Sequence, residues 1–130
     1  MTPRHHVTRF STADLTVPHG YESASDGYRR VSHVGAETGS VHMSYGTSSL
    51  AAGGHVATRV QSYEESFFVL EGTPVLALDG VRHALRPSDC GLIPVGVEHA
   101  WENPGPAEAR WIDMKAPQPR SPYAGLACPT

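Results

Sequence analysis

The sequence predicts an all-β domain, a sandwich or small barrel built from short strands. A chain of 130 residues is long enough for one domain with a core of its own. It contains 13 glycines and 11 prolines, and no long segment repeats apolar residues at helical spacing. The apolar segments are short and separated by turn-forming residues, which is typical of β-sandwiches and barrels.

The strands are predicted in chain order from these segments. A strand around HHVTRF begins an N-terminal arm of about 30 residues, which continues as the polar stretch PHGYESASDGYRR. The other candidate strands are residues 41–50, 66–72, 73–80, 90–96, 98–103 and 109–114. Turns or loops are predicted between these strands, at AAGG, Asp79-Gly80, RPSD and NPGPAE.

Two segments have a more specific interpretation. Asp79-Gly80 predicts a hairpin with a type I′ turn, because both residue types tolerate positive φ. Residues 115–130 are too rich in proline for regular structure. We expect this tail to lie on its own barrel or on a neighbouring subunit.

Composition limits the partners. The formal charge of −3 is small and there is no run of like charges, which argues against nucleic acid and anionic membrane surfaces. Small molecules and a second copy of the chain are the expected partners. The two cysteines, Cys90 and Cys128, suggest no disulfide framework. No apolar run approaches the roughly 20 residues of a membrane span, and MTPRHHVTRF lacks a signal-peptide core, so a cytoplasmic location is predicted.

Two spaced motifs lie between residues 53 and 103. In the first, Gly53, Glu65 and Gly72 keep the frame of Gly, five residues, His-x-His, three or four residues, Glu, six residues, Gly. The second runs Gly, five residues, Pro-x-Gly, two residues, His, three residues, Asn. It is matched, with Ser88 in place of its leading glycine, by Pro94, Gly96, His99 and Asn103.

This pattern resembles the cupin superfamily with a degenerate first motif. The resemblance implies one jelly-roll barrel, also called a double-stranded β-helix, over residues 1–130. It also implies that four positions converge on a divalent metal inside the barrel. Those positions are Arg59, Gln61, Glu65 and His99. Arg59 and Gln61 lie two apart, so on a strand they face the same side.

Whether this cavity holds a metal is left open. Gln61, Glu65 and His99 form a candidate three-ligand set for zinc, manganese, iron or nickel. An amide is a weaker ligand than imidazole, and the charge of Arg59 repels a cation. Without a metal, Arg59 can pair with Glu65 or bind an anionic substrate group.

Other residues are assigned with less detail. Substrate binding, or a place in the lining of the pocket, is predicted for Arg59, Gln61, Tyr63, Phe67 and Trp101. His5 and His6 are predicted to be exposed. The direction in which some polar residues face is not determined by the sequence; these are His33, His42, Tyr45, His55 and Asp113.

Three functions are compatible with this cavity. The favoured one is a lyase, isomerase or cyclase in which Glu65 and His99 exchange protons and Arg59 holds a polar, anionic metabolite. The second is a metal-dependent lyase, hydrolase or dioxygenase. The third is a binding or sensing module without turnover. A homodimer is expected, because dimerisation covers sheet edges.

Overall fold

The computed structural model describes residues 5–118, in which the regular structure is almost entirely β-strand. Two short 3₁₀ helices span Thr12–Asp14 and Ala36–Thr38. The strands are β1 (Ser25–Val34), β2 (Ser44–Arg59), β3 (Glu64–Glu71), β4 (Val75–Leu78), β5 (Val81–Ala84), β6 (Cys90–Ile93), β7 (His99–Glu102) and β8 (Ala109–Ala116). Among these residues there is no helix with the length and apolar character needed to cross a membrane.

The strands form one curled antiparallel sheet around the sixteen-residue strand β2. Seven strands follow the order β5-β4-β7-β2-β8-β3-β6, and β1 also pairs with β2. The two ends of β2 pair with different neighbours: its first half lies against β8, and its second half lies against β7. Strand β2 therefore connects the two halves of the barrel, and the all-β prediction is confirmed.

Most predicted strands are present, with shifted ends. The prediction that AAGG is a turn is wrong, because Ala51 to Gly54 continue β2. The strand is irregular there, with Gly53 at φ +79° and a shift of register against β1. HHVTRF, from His5 to Phe10, forms no strand, whereas β1 and β5 were not predicted. Strand β8 extends to Ala116, so Lys115 belongs to the barrel and not to the tail. Residues 119–130, which make up most of the predicted tail, lie outside the part of the chain that the structure describes.

Two turn positions explain details of the motifs. Asp79 and Gly80 have φ of +49° and +83° and connect Leu78 to its register partner Val81, which confirms the predicted hairpin turn. Ser88 stands where the second motif has glycine, and its φ is +77°. This left-handed conformation favours glycine, so the serine is held there by its surroundings.

The interior divides into an apolar part and a polar part. The apolar part is a cluster around Leu50, Val69, Leu76, Ile93 and Trp111, each at most 1% exposed. The polar part arises where the inward positions of strands carry hydrogen-bonding groups. On β8, for example, the inward series runs Ala109, Trp111, Asp113, Lys115. The ionisable groups therefore lie beside the apolar cluster, within the same barrel interior.

Asn103 ties the end of β7 to the following loop. It is 1% exposed, and its amide donates to the carbonyls of Leu50 (2.9 Å) and Ala107 (2.8 Å) while its oxygen accepts from Gly105 N–H (3.1 Å). We expect Asn103→Ala to lower the free energy of unfolding by about 2–4 kcal/mol, because buried backbone groups lose their partners. Urea denaturation measures this change. Pro106→Ala in the same loop should cost less than about 1 kcal/mol; equal losses in both variants would contradict the assignment.

Candidate active site

Ionisable and aromatic side chains from five strands and two loops surround a cavity in the polar half of the barrel. Strand β2 contributes Arg59, the segment after it Gln61, β3 Glu65 and β7 His99. The structure thus brings together the four positions that the motifs single out. The full lining is Tyr21, Tyr28, Val56, Arg59, Gln61, Glu65, His99, Trp101, Trp111 and Lys115.

The cavity is closed by its own side chains. The space left free is about 10 Å³, which is room for roughly one water molecule. Of the ten lining residues, Tyr21 and Arg59 are half-buried and the other eight are buried. The Arg59 guanidinium carbon lies 4.0 Å from the centre of the Tyr21 ring. These two are the least buried side chains of the lining, and a ligand larger than water can be accommodated only if lining side chains move.

Glu65 is the acidic group of this cavity. Its side chain faces inward from β3 and is 5% exposed. Burial raises its pKa from the ordinary 4.5 to about 7, and the nearby carboxylate of Asp113 acts in the same direction; Lys115, Arg30 and the Gln61 amide oppose the rise. The carboxyl group is therefore near half-protonation at neutral pH, the condition that suits a general acid or base.

Lys115 faces Glu65 from the adjacent strand. The two residues are register partners in the pairing of β3 with β8, which places their Cβ atoms about 5 Å apart on the inner face. Lys115 is 8% exposed, and its amine lies 5.5 Å from the Tyr63 ring centre. Burial lowers the pKa of this amine, as does Arg30, while Asp113 and Glu65 oppose the change.

Asp113 is held ionised by a separate network. Arg30 donates to its Oδ1 from Nε (3.0 Å) and Nη2 (2.6 Å), and Ser48 Oγ donates to Oδ2 at 2.6 Å. Tyr28 is within hydrogen-bond distance of Ser48, at 3.0 Å. Burial alone would raise the pKa of Asp113, but Arg30 and Lys115 outweigh it, and the net direction is downward. Two neighbouring carboxyl groups thus have pKa values displaced in opposite directions, a pattern found where one acid must stay charged and another must exchange a proton.

The imidazole of His99 is the second group of the cavity that can transfer a proton. Its Nδ1 lies 3.1 Å from the Val97 carbonyl, and because a carbonyl only accepts, Nδ1 carries the hydrogen. Burial lowers the pKa of His99; the Val97 hydrogen bond opposes this, and the charges of Arg59 and Lys115 lower the pKa further. The ring is therefore neutral at pH 7, with the lone pair of Nε2 available as a base.

Gln61 adds a binding group without charge. The residue is 4% exposed, and its Oε1 is a buried acceptor without a hydrogen-bond partner among the residues described. Such an atom costs free energy unless a partner arrives. A ligand hydroxyl or N–H group would satisfy it.

Aromatic rings form the wall behind these groups. Trp101 and Trp111 stack with centroids 4.0 Å apart, and Tyr28 lies 6.4 Å from Trp111. Phe67, predicted to line the pocket, packs edge-on against Trp101 within the apolar cluster. Tyr63, also predicted there, is 3% exposed and flanks Lys115.

The polar residues whose facing the sequence left undetermined are mostly elsewhere. His33 and Tyr45 line a separate cavity of about 290 Å³ against the N-terminal segment, and His33 Nε2 lies 2.8 Å from Thr47 Oγ1. His55 faces outward from β2 beside Glu102. His42 is exposed, as are His5 and His6. Of this set, Asp113 alone belongs to the electrostatic surroundings of Glu65.

The donor set does not fit a divalent metal ion. Within residues 5–118, no group of three or more His, Cys, Asp and Glu side chains is arranged to hold one. The candidate ligands Gln61, Glu65 and His99 share their cavity with the guanidinium group of Arg59, a permanent positive charge that repels a metal ion.

Several residues of the site were not identified from the sequence. Tyr21 and Tyr28 lie in a stretch interpreted as a polar arm, although Tyr28 and Arg30 show the two-residue spacing of one strand face. Lys115 was placed in the Pro-rich tail. A compositional signal was present, because Lys115 is the only lysine in the sequence.

The fold and the site together define a small β-barrel protein with an ionisable cavity inside the barrel. Residues 46–115, more than half of the chain, match the family model described as the cupin domain. The chain belongs to the cupin family, and the sequence resemblance is confirmed. No curated protein matches it in sequence.

Solved structures share the jelly-roll fold. The polyketide cyclase RemF from Streptomyces resistomycificus superposes with a TM-score of 0.76 at 16% identity, over 89% of this chain and 83% of the cyclase. An RmlC-like cupin from Shewanella frigidimarina gives 0.71 at 18% identity, over 90% and 95%. A sugar phosphate isomerase of the cupin superfamily from Silicibacter pomeroyi gives 0.64 at 25% identity, over 83% and 69%.

Proposed function

We propose that this protein is a small-molecule enzyme of isomerase or cyclase character that works by proton transfer inside the barrel. The observation that carries this proposal is the pairing of Glu65, with a pKa of about 7, and neutral His99 around one closed cavity. Glu65 can donate a proton near neutral pH and the neutral imidazole of His99 can accept one, which are the two roles that general acid–base catalysis requires.

The lining also indicates the kind of substrate. Arg59 supplies a cationic group, and Gln61 Oε1 supplies an acceptor that needs a donor. An anionic metabolite with a hydroxyl or N–H group satisfies both requirements. The stacked indoles of Trp101 and Trp111 provide a flat apolar wall for its carbon skeleton.

The structural neighbours support the same class of chemistry. One is named a polyketide cyclase and another a sugar phosphate isomerase. Aldol cyclisation and aldose–ketose isomerisation both move a proton at a carbon beside a carbonyl group. In this chain, we propose that His99 Nε2 removes such a proton and that Glu65 supplies one to the oxygen, while closure by Tyr21 and Arg59 excludes water.

Proton exchange in heavy water tests this function without knowledge of the final product. A panel of sugar phosphates and β-dicarbonyl acids is incubated with the protein in D₂O, and the loss of carbon-bound hydrogen is followed by ¹H NMR. We expect catalysed exchange with at least one compound, reduced about 10²–10⁴-fold in Glu65→Gln and in His99→Ala.

A neighbouring residue offers the matched control. Glu64 precedes Glu65 on β3 and is exposed, so Glu64→Gln should exchange at the wild-type rate. EDTA should have no effect. Binding of a panel compound without any exchange would contradict the proposal and favour a non-catalytic binding module, and loss of exchange with EDTA would favour the metal-dependent alternative.

A further inference from the structure

Lys115 has an unusual place in this chain. It is the only lysine of the 130 residues, and the other nine basic residues counted with it are arginines. Lysine is normally a surface residue and is almost never fully buried without a partner. Here the single lysine is 8% exposed, on an inward position of the last barrel strand, and lines the cavity.

The usual structural reason for a buried lysine is an ion pair. Asp113, the nearest carboxylate along the strand, is already engaged by Arg30 and Ser48. Among residues 5–118, no carboxylate forms a salt bridge with the Lys115 amine within 4.0 Å; the Tyr63 ring centre lies 5.5 Å away, and the charges of Asp113 and Glu65 act on the amine from farther off. The amine therefore belongs to a largely buried side chain that lines the cavity, and it is not locked in a salt bridge.

We propose that Lys115 captures the carbonyl group of the substrate as a Schiff base, so that the substrate is an aldehyde or ketone. This inference deepens the proposed function and rests on it for the acid and the base. A lysine desolvated in an apolar or cationic environment is a known route to a neutral, nucleophilic amine. Burial and the charge of Arg30 both favour the neutral form here.

Lys115 and the residues around it can supply and accept the protons that each step of imine formation requires. The neutral Nζ bonds to the carbonyl carbon, and the carbonyl π electrons move to the oxygen, which takes a proton from Glu65, the register partner of Lys115 on β3. The Glu65 carboxylate then accepts the proton that nitrogen loses and returns it to the hydroxyl group, which leaves as water. The product is a protonated imine. Its positive charge acidifies the adjacent C–H bond, from which His99 Nε2 can remove the proton to give an enamine.

Reductive trapping tests this inference on the full-length protein. Pyruvate serves as the carbonyl probe at pH 7, sodium cyanoborohydride reduces any imine, and peptide mass mapping locates the adduct. The amines available are the single lysine and the chain's amino terminus, so the amino terminus is an internal reference. An unperturbed lysine is neutral in only about 1 molecule in 2500 at pH 7.

We expect Lys115 in the folded protein to be alkylated at least ~10-fold faster than in protein unfolded in guanidinium chloride, as suits an amine with a lowered pKa. Lys115→Arg should retain only the amino-terminal adduct. Glu65→Gln should slow capture, and the exposed control Glu64→Gln should not. An adduct confined to the amino terminus, or Lys115 labelled no faster than in the unfolded chain, would overturn the inference.

The outcome is separable from that of the proton-exchange experiment. His99→Ala removes the base but not the nucleophile, so it should lose exchange while still forming the Lys115 adduct. Capture without exchange would leave this inference standing and refute the proposed function. Exchange that survives in Lys115→Arg would refute this inference and leave the proposed function standing.

Discussion

Replacing Arg30 by methionine is expected to lower the free energy of unfolding by about 3–5 kcal/mol, because it leaves a buried charge without its partner. Asp113 is 1% exposed, and Arg30 contacts its Oδ1 with two nitrogens. Only the bond from Ser48 would remain. Urea denaturation at pH 7 measures the loss.

The adjacent arginine is the control. Arg29 lies on the same strand, but its side chain is 49% exposed, and its contact with Glu108 is 3.6 Å long. Exposed pairs contribute about 0–1 kcal/mol, so Arg29→Met should be nearly neutral. The double variant Arg30→Met with Asp113→Leu should recover much of the loss, since no buried charge remains. Similar losses for Arg29→Met and Arg30→Met would show that the buried pair has no special role.

Replacing Glu65 by glutamine is expected to stabilise the protein at alkaline pH. The pKa of Glu65 is about 7 in the folded protein against an ordinary 4.5. A carboxyl group with a raised pKa contributes its full stability below pH 4.5, and this contribution is lost as pH rises through about 7. The difference corresponds to about 3 kcal/mol. The groups that set this pKa besides burial are Asp113, Lys115, Arg30 and Gln61.

The measurement is the free energy of unfolding at pH 5 and pH 8. Glutamine preserves the shape of Glu65 but cannot ionise, so the advantage of Glu65→Gln over wild type should grow by about 2–3 kcal/mol between these two values. Glu64→Gln should show no such change, because Glu64 is exposed. A constant difference between Glu65→Gln and wild type would mean that Glu65 ionises normally. With the expected result, a more stable protein would be a less active one.

The architecture follows from local sequence signals. The chain reverses at positions marked by turn residues such as Asp79-Gly80 and by the spacing of the motif from Pro94 to Asn103. Each of these signals is contained within a few residues. The spacing of Arg59, Gln61, Glu65 and His99 likewise placed four side chains in one cavity. Short-range patterns are sufficient where the strand repeat of two residues decides which way a side chain points.

The rest of the site depends on contacts between distant segments. Arg30 meets Asp113 across 83 positions of the sequence, and neither residue type, taken alone, indicates a buried pair. Tyr21 reaches the cavity from a loop that has no regular pattern. Lys115 faces Glu65 only because β8 continues past Met114, whereas the prolines that follow suggested an earlier end. The sequence motifs could therefore identify one half of the site but not its counter-charges.

The stacked indoles give this barrel a built-in optical reporter. The sequence contains two tryptophans, and both line the cavity with their rings 4.0 Å apart. All the indole emission of the protein therefore originates beside Glu65, His99 and Lys115. Molecules that enter and displace Tyr21 change the polarity around the fluorophores themselves, so occupancy can be followed in real time without attaching a dye or knowing the product.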